Sequence, residues 1–387
     1  MKRFLTAIFI VISLVMAFAE DGVYPDKVVI GSFQALSGPY AVIGQGMTKG
    51  MKAYFNWINE QGGIYGRKIK LIVVDDQLNP SKTVVEVKRL VEEDKVFAIV
   101  GGLGTYGCLA VMDYLNNKGV PFVYQGSGSS KLSQPPKKYV FPVQPDYLLE
   151  GQLIGKFLVE TKGIRSIGII YMNNDVGKEG LTGVQKRLSK YGISPKVEIP
   201  YNPLETDYSS LALQVLDKNP KAVVIYGFIT DTLRWIKTLK DYGYDGLIVT
   251  IYPNADPAFV KLGGKYVEGV VVTGWVPIPS KDNPEYTKDY QKFVEIYQKS
   301  YPDEIPSSYA VAGFIAAEVF TEALRRAGKD PTREKLVEAL ESFKHWNGIM
   351  AKDITYGPGQ RRGKSTMYFI KIENGIFVPI TGLMGLE

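Results

Sequence analysis

Ala98-Ile99-Val100-Gly101-Gly102-Leu103-Gly104-Thr105-Tyr106-Gly107 opens the stretch that decides the fold, and Val120-Pro121-Phe122-Val123-Tyr124-Gln125-Gly126-Ser127-Gly128-Ser129-Ser130 closes it. The residues between have helical spacing. The order is therefore a short apolar strand, a Gly-rich loop, a helix, a second strand and a Gly/Ser-rich loop. Two neighbouring parallel strands would bring both loops to the carboxyl edge of one sheet. Bare glycines there would expose backbone N–H groups, and Thr105, Ser127, Ser129 and Ser130 would add hydroxyls. Such edges and helix N-termini attract anions, so the stretch is expected to cradle the carboxylate of a small ligand.

The same residues carry a decoy. Gly102-Leu103-Gly104-Thr105-Tyr106-Gly107 fits the G-x-G-x-x-G dinucleotide pattern. A nicotinamide site also needs an acid about 20 residues on, and here that region reads Tyr124-Gln125-Gly126-Ser127. The loop also follows the third strand of its unit, not the first. Tight βα turns that bind nothing are the plain alternative.

The 387 residues suit two domains, each with its own core. Lys2-Arg3, the apolar run 4–18 and Ala17-Phe18-Ala19 read as a cleaved signal peptide over residues 1–19. No later run approaches a membrane span. An exported, extracytoplasmic or periplasmic protein is expected. The net charge of +6 falls to +4 without Lys2 and Arg3, and the positive charges are scattered, which argues against nucleic acid as partner. Cys108 is the single cysteine and His345 the single histidine, so disulfides, the common zinc sites and Cys/His dyads are out of reach. No catalytic group, metal or cofactor is expected.

Along the chain, strands are predicted at 28–34, 69–74, 166–171, 193–200, 222–227, 247–251 and 267–275. Helices are predicted at 44–61, 81–94, 147–161, 177–191, 208–218, 230–242 and 256–262. Asp75-Asp76 follows the second strand and reads as a turn cap before any acid/base pair. Residues 139–144 read as a crossing segment. Three helices follow Pro277-Ile278-Pro279, at 284–300, 307–327 and 331–343, and strands near 349–356, 366–373 and 377–381 end the chain. Alternating strand and helix implies parallel sheets covered on both faces, with ligands at the carboxyl ends of the strands.

The chain resembles the solute-binding proteins of branched-chain amino acid ABC transporters, the leucine/isoleucine/valine type within the type I periplasmic binding protein fold. The matching residues are Leu36-Ser37-Gly38-Pro39 with Gly44, Asn59-Glu60-Gln61-Gly62-Gly63-Ile64, Asp75-Asp76 with Pro80, and the loops 101–107 and 125–130. Gly177-Lys178-Glu179-Gly180, Thr206-Asp207-Tyr208-Ser209 and Val267-Glu268-Gly269-Val270 continue the pattern. The resemblance implies an α/β fold of two doubly wound parallel-sheet lobes joined by three hinge crossings, with the ligand between them. The crossings fall near Pro142, Val276 and Gly363. The N-terminal lobe would take residues 20–142 and 277–363, and the C-terminal lobe 143–276 and 364–387.

By the same resemblance, Thr105 and Tyr106 fall where the ligand carboxylate is held, and Gln125, Gly126 and Ser127 in the second loop. Ile43 falls on one pocket wall, and Val176, Phe228 and Tyr252 on the other lobe, with Tyr309 added as a lining residue. Many relatives have Thr at Gly128. At Tyr252 amino-acid binders often carry an acid that meets the α-ammonium. Asp175 or Asp231 could stand in for that acid. Three functions stay open: delivery of a branched-chain amino acid to an ABC permease, the same role for a carboxylate or amide without an α-ammonium, and an exported hydrolase, for which no nucleophile, base and orienter are visible. A monomer is expected.

Overall fold

The computed structural model describes residues 20–278 and 284–387, so the expected signal peptide and Pro279 lie outside the described residues. The first sheet has the order β2-β1-β3-β4-β5, all parallel. Its strands are β1 (Lys27–Gln34), β2 (Lys68–Asp75), β3 (Ile99–Leu103), β4 (Phe122–Gly126) and β5 (Val140–Phe141). Helices α1 (Ala41–Glu60), α2 (Pro80–Glu92) and α3 (Thr105–Asn117) make the crossovers between its strands. β1 alternates its side chains between two cores. Val28 and Ile30 join the core of α1, while Val29 and Phe33 join that of α2 and α3. A strand buried on both faces needs a nearly continuous apolar run, which Val28-Val29-Ile30 and Phe33 supply in β1.

After α4 (Tyr147–Lys156), a second sheet has the order β12-β11-β10-β9-β8-β6-β7. Its strands are β6 (Ile167–Met172), β7 (Val197–Tyr201), β8 (Ala222–Tyr226), β9 (Leu247–Thr250), β10 (Val271–Gly274), β11 (Tyr368–Glu373) and β12 (Ile376–Pro379). The helices between are α5 (Asp175–Ser189), α6 (Ser209–Lys218), α7 (Ile229–Asp241) and α8 (Pro257–Gly263). Helices α9 (Pro284–Ser300), α10 (Ser308–Ala327) and α11 (Arg333–Glu341) return to the first sheet, where α9 and α10 pack on α1.

Four expectations need correction. The second sheet has a mixed edge: β11, entered from the first sheet's side after α11, runs antiparallel to β10, and a short turn at Asn374-Gly375 then folds β12 back antiparallel to β11. Residues 140–141 are not only a crossing but the edge strand β5, paired with β4. Gly101 and Gly102 lie inside β3, not in a loop, since β4 pairs Gly102 with Gln125 and Leu103 with Gly126. No strand forms over 349–356. There the N–H groups of Ile349, Met350 and Ala351 donate instead to the buried Glu318 carboxylate, at 2.6, 2.9 and 2.8 Å. The backbone has found its acceptor on a side chain and needs no neighbouring strand.

In the first sheet the strand order reverses between β1 and β3, and in the second between β6 and β8. Crevices at the carboxyl ends of strands beside such reversals are where open α/β sheets bind ligands. Around the three connections, Gly363 N donates to Pro142 O at 3.0 Å, the Tyr356 hydroxyl donates to the same oxygen at 3.0 Å, and the Tyr368 hydroxyl donates to Val276 O.

Candidate ligand-binding cleft

The carboxyl ends of β3 and β4 meet at two hydroxyls. Thr105 is the first residue of α3 and Ser127 follows β4, and their side-chain oxygens are 2.8 Å apart. Gly104 precedes α3 without a capping side chain, so the N–H groups of the first turn have no intrahelical acceptor. Ser127 Oγ also accepts from Ser129 N at 3.2 Å. Thr105, Ser127 and the open turn thus form an edge rich in donors, of the kind that receives a carboxylate. Cys108 one turn on is fully buried, and burial pushes its thiol well above the ordinary range.

Other sequence candidates take different places. Gln125 is wholly buried and its Nε2 donates to Phe122 O at 2.8 Å, so its side chain faces the sheet interior and not the edge. Gly126 is partly exposed, but its carbonyl already accepts from Gly104 N at 3.1 Å. Tyr106 is half exposed in the same turn. Ile43, Tyr252 and Tyr309 are partly buried against the large core, and Val176 is within it. Phe228 precedes α7 with 39% of its surface exposed.

Tyr252, after β9, comes up to the Gly128 loop. A Cβ at Gly128 would lie 2.7 Å from the Tyr252 hydroxyl and 2.5 Å from a Tyr147 ring carbon, so the two phenols occupy the space a side chain at 128 would need. Their rings stack, 6.3 Å apart and 13° from parallel. The Tyr147 hydroxyl lies within hydrogen-bonding reach of Thr105, and Tyr147 N donates to Gly128 O at 2.7 Å. Burial first, with the Glu150 charge nearby, pushes the Tyr147 phenol up to about 12.

Neither acid suggested as a substitute near Tyr252 is uncommitted. Asp175 pairs with Lys131 at 3.2 Å, and the Asp231 carboxylate accepts from the buried Tyr201 hydroxyl. Glu150 was not singled out in the sequence, although an acid within Tyr147-Leu148-Leu149-Glu150 is a visible anomaly. It is fully buried, and one oxygen accepts from Tyr252 N at 2.9 Å and from the Thr273 hydroxyl. Burial pushes its carboxyl up to about 8 against these hydrogen bonds.

Three contacts join the two sheets' loops across the cleft. Glu179 of α5 accepts from Ser129 Oγ and from Ser130 N, both at 2.7 Å. Lys131 meets Asp175, and Asp256 accepts from Ser308 N at 3.0 Å and its hydroxyl at 2.6 Å. Among the described residues no cluster of His, Cys, Asp and Glu could hold a metal ion, and no helix is long and apolar enough to cross a membrane.

A sequence model described as periplasmic binding protein matches residues 27–375. Leu/Ile/Val-binding protein homolog 7 of Brucella abortus (strain 2308) is 21% identical over 388 aligned residues, covering 95% of each chain. Among solved structures, a leucine binding protein from Thermotoga maritima superposes with a TM-score of 0.78 at 20% identity, over 92% of this chain and 98% of its own. A fatty acid ABC transporter substrate-binding protein from Thermomonospora curvata does so with a TM-score of 0.81 at 22% identity, over 95% and 94%.

Proposed function

The chain belongs to the periplasmic binding protein family, and from that premise we propose that it is the extracytoplasmic solute-binding component of an ABC importer. It takes a small carboxylate-bearing solute of the size of a branched-chain amino acid between its lobes and delivers it to a membrane permease. The observation that carries this reading is the Thr105–Ser127 hydroxyl pair, 2.8 Å apart at the uncapped start of α3. Hydroxyls and free N–H groups at a helix N-terminus stabilise a carboxylate through charge-assisted hydrogen bonds. Ile43, Val176, Phe228, Tyr252 and Tyr309 would line the rest of the pocket, with Gly126 and the backbone of Gln125 beside the carboxylate. Tyr106 would shield it from outside.

Lobe closure would follow from one ligand touching both lobes, about hinges near Pro142, Val276 and Gly363. The lobes would then take residues 20–142 with 277–363, and 143–276 with 364–387. The chain would work as a monomer facing its permease.

Calorimetry tests the reading. Branched-chain amino acids and the matching acids without the amine are titrated into the protein and into Thr105→Ala. Binding of at least one class is expected. The substitution should weaken it by about 1.5–3 kcal/mol, the range for a hydrogen bond to a charged group. Affinity unchanged by Thr105→Ala would remove that edge from the site.

A further inference from the structure

The polarity of the cleft is set by a chain of three side chains that begins in the core. Tyr124, in β4, has φ of +58°, a left-handed conformation that bulky aromatic residues rarely adopt. Gly101 on the neighbouring strand has φ of +75°, so both strands kink at one level. The Tyr124 hydroxyl is 2.9 Å from Gln144 Oε1, and Gln144 Nε2 is 2.6 Å from the Tyr252 hydroxyl.

An amide can be turned end for end, so the direction of such a chain has to come from its ends. Tyr124 is wholly buried, and Gln144 is the one partner of its hydroxyl among the described residues. If Gln144 presented its NH2 group to Tyr124, the phenol proton would be stranded in the core without an acceptor, which is unfavourable. With Tyr124 donating to the amide oxygen, the amide NH2 donates to Tyr252. The Tyr252 proton is then the one left over, at a hydroxyl beside the Gly128 loop, and Tyr252 as a residue is only partly buried. Burial pushes both phenols well above their ordinary range, so each keeps its proton.

The cleft thus offers a donor at Tyr252, and the phenolic oxygen already accepts from Gln144. Of the neighbouring acceptors, Gly126 O and Gly128 O accept from Gly104 N and Tyr147 N, and Glu179 holds Ser129 and Ser130. Glu150 Oε2 and Gln125 Oε1 have no partner among the described residues, and both side chains are wholly buried and face away from the loop edge. An ammonium there would face donors, and a buried unpaired charge is costly.

We propose that the Tyr252 hydroxyl donates to an oxygen of the ligand, and that the cleft selects small carboxylates without an α-ammonium. This rests on the carboxylate-binding reading above and narrows it. Calorimetry on the purified protein compares leucine and valine with 4-methylpentanoate, 4-methyl-2-oxopentanoate and 3-methylbutanoate. The acids should bind at least about tenfold more tightly than the amino acids of the same skeleton. Tyr252→Phe, which keeps the ring, should weaken the acids by about tenfold and shrink that ratio. Gln144→Glu would accept from both phenols, turn the Tyr252 proton away from the cleft and weaken the acids likewise. Glu150→Gln should leave the ratio unchanged. Tighter binding of the amino acids, lost in Glu150→Gln and untouched by Tyr252→Phe, would overturn the proposal and leave the carboxylate reading standing. Binding of neither class would overturn both.

Discussion

Gly128 and Glu150 each carry a consequence that reaches beyond their own backbone. At Gly128 the space for a side chain is filled by Tyr147 and Tyr252, at 2.5 and 2.7 Å from where a Cβ would sit. Gly128→Thr should therefore push both phenols apart and destabilise the protein by about 1–3 kcal/mol, as overpacking does. A denaturant midpoint lowered without a change of slope would show it, and an unchanged midpoint would mean that the tyrosines are free to move. Glu150, with its carboxyl at about 8, still holds a proton that the unfolded chain has released. Between about pH 5 and 8 the native state binds more protons, so stability falls as pH rises, by up to about 1.4 kcal/mol per pH unit from this group, and levels off above 8. Glu150→Gln should remove that share of the slope and leave the share of buried Glu318, whose carboxyl burial pushes up to about 7. A slope between about pH 7 and 8 unchanged in the variant would assign it to another group.

At the scale of elements, α5 does more than cover a sheet. Its first turns carry Asp175 and Glu179, which reach Lys131, the Ser129 hydroxyl and the Ser130 N–H of the first sheet's loop. Glu179→Ala removes two hydrogen bonds to a carboxylate, each worth about 1.5–3 kcal/mol, that join the loops of the two sheets. The substitution should shift the lobes toward an open state and weaken ligand binding while leaving each lobe folded. Unchanged affinity and scattering would show that this contact is incidental. The elements were largely legible because their apolar spacing is regular: α9 runs from Pro284 to Ser300 as its spacing predicts. The strand expected over 349–356 was not, because the apolar run Ile349-Met350-Ala351 with Ile354 and Tyr356 looks the same whether the N–H groups meet a strand or the remote Glu318.

For the whole molecule, three connections between the sheets constrain the lobes to a bend with some twist. Small-angle scattering with and without a saturating acid ligand should show a smaller radius of gyration in the bound form. Identical curves at proven saturation would argue against a hinge. The contacts between Asp256 and Ser308, and between Glu179 and Ser129, should be the ones that ligand release breaks.

Local pattern alone determined the alternation of strands and helices and the pairing of two loops at Thr105 and Ser127, because periodicity and Gly/Ser composition are written in adjacent residues. Resemblance extended this to the two-lobed family fold. The polarity of the cleft was decided only in three dimensions. Tyr124, Gln144 and Tyr252 are far apart in the chain, and their hydrogen-bond direction follows from which end is buried. Gln125 read as a cleft group in the sequence, yet the sheet turns its side chain inward onto Phe122 O. Burial and the orientation of a donor are properties of the packed molecule, because each depends on residues that come together only after the chain has folded.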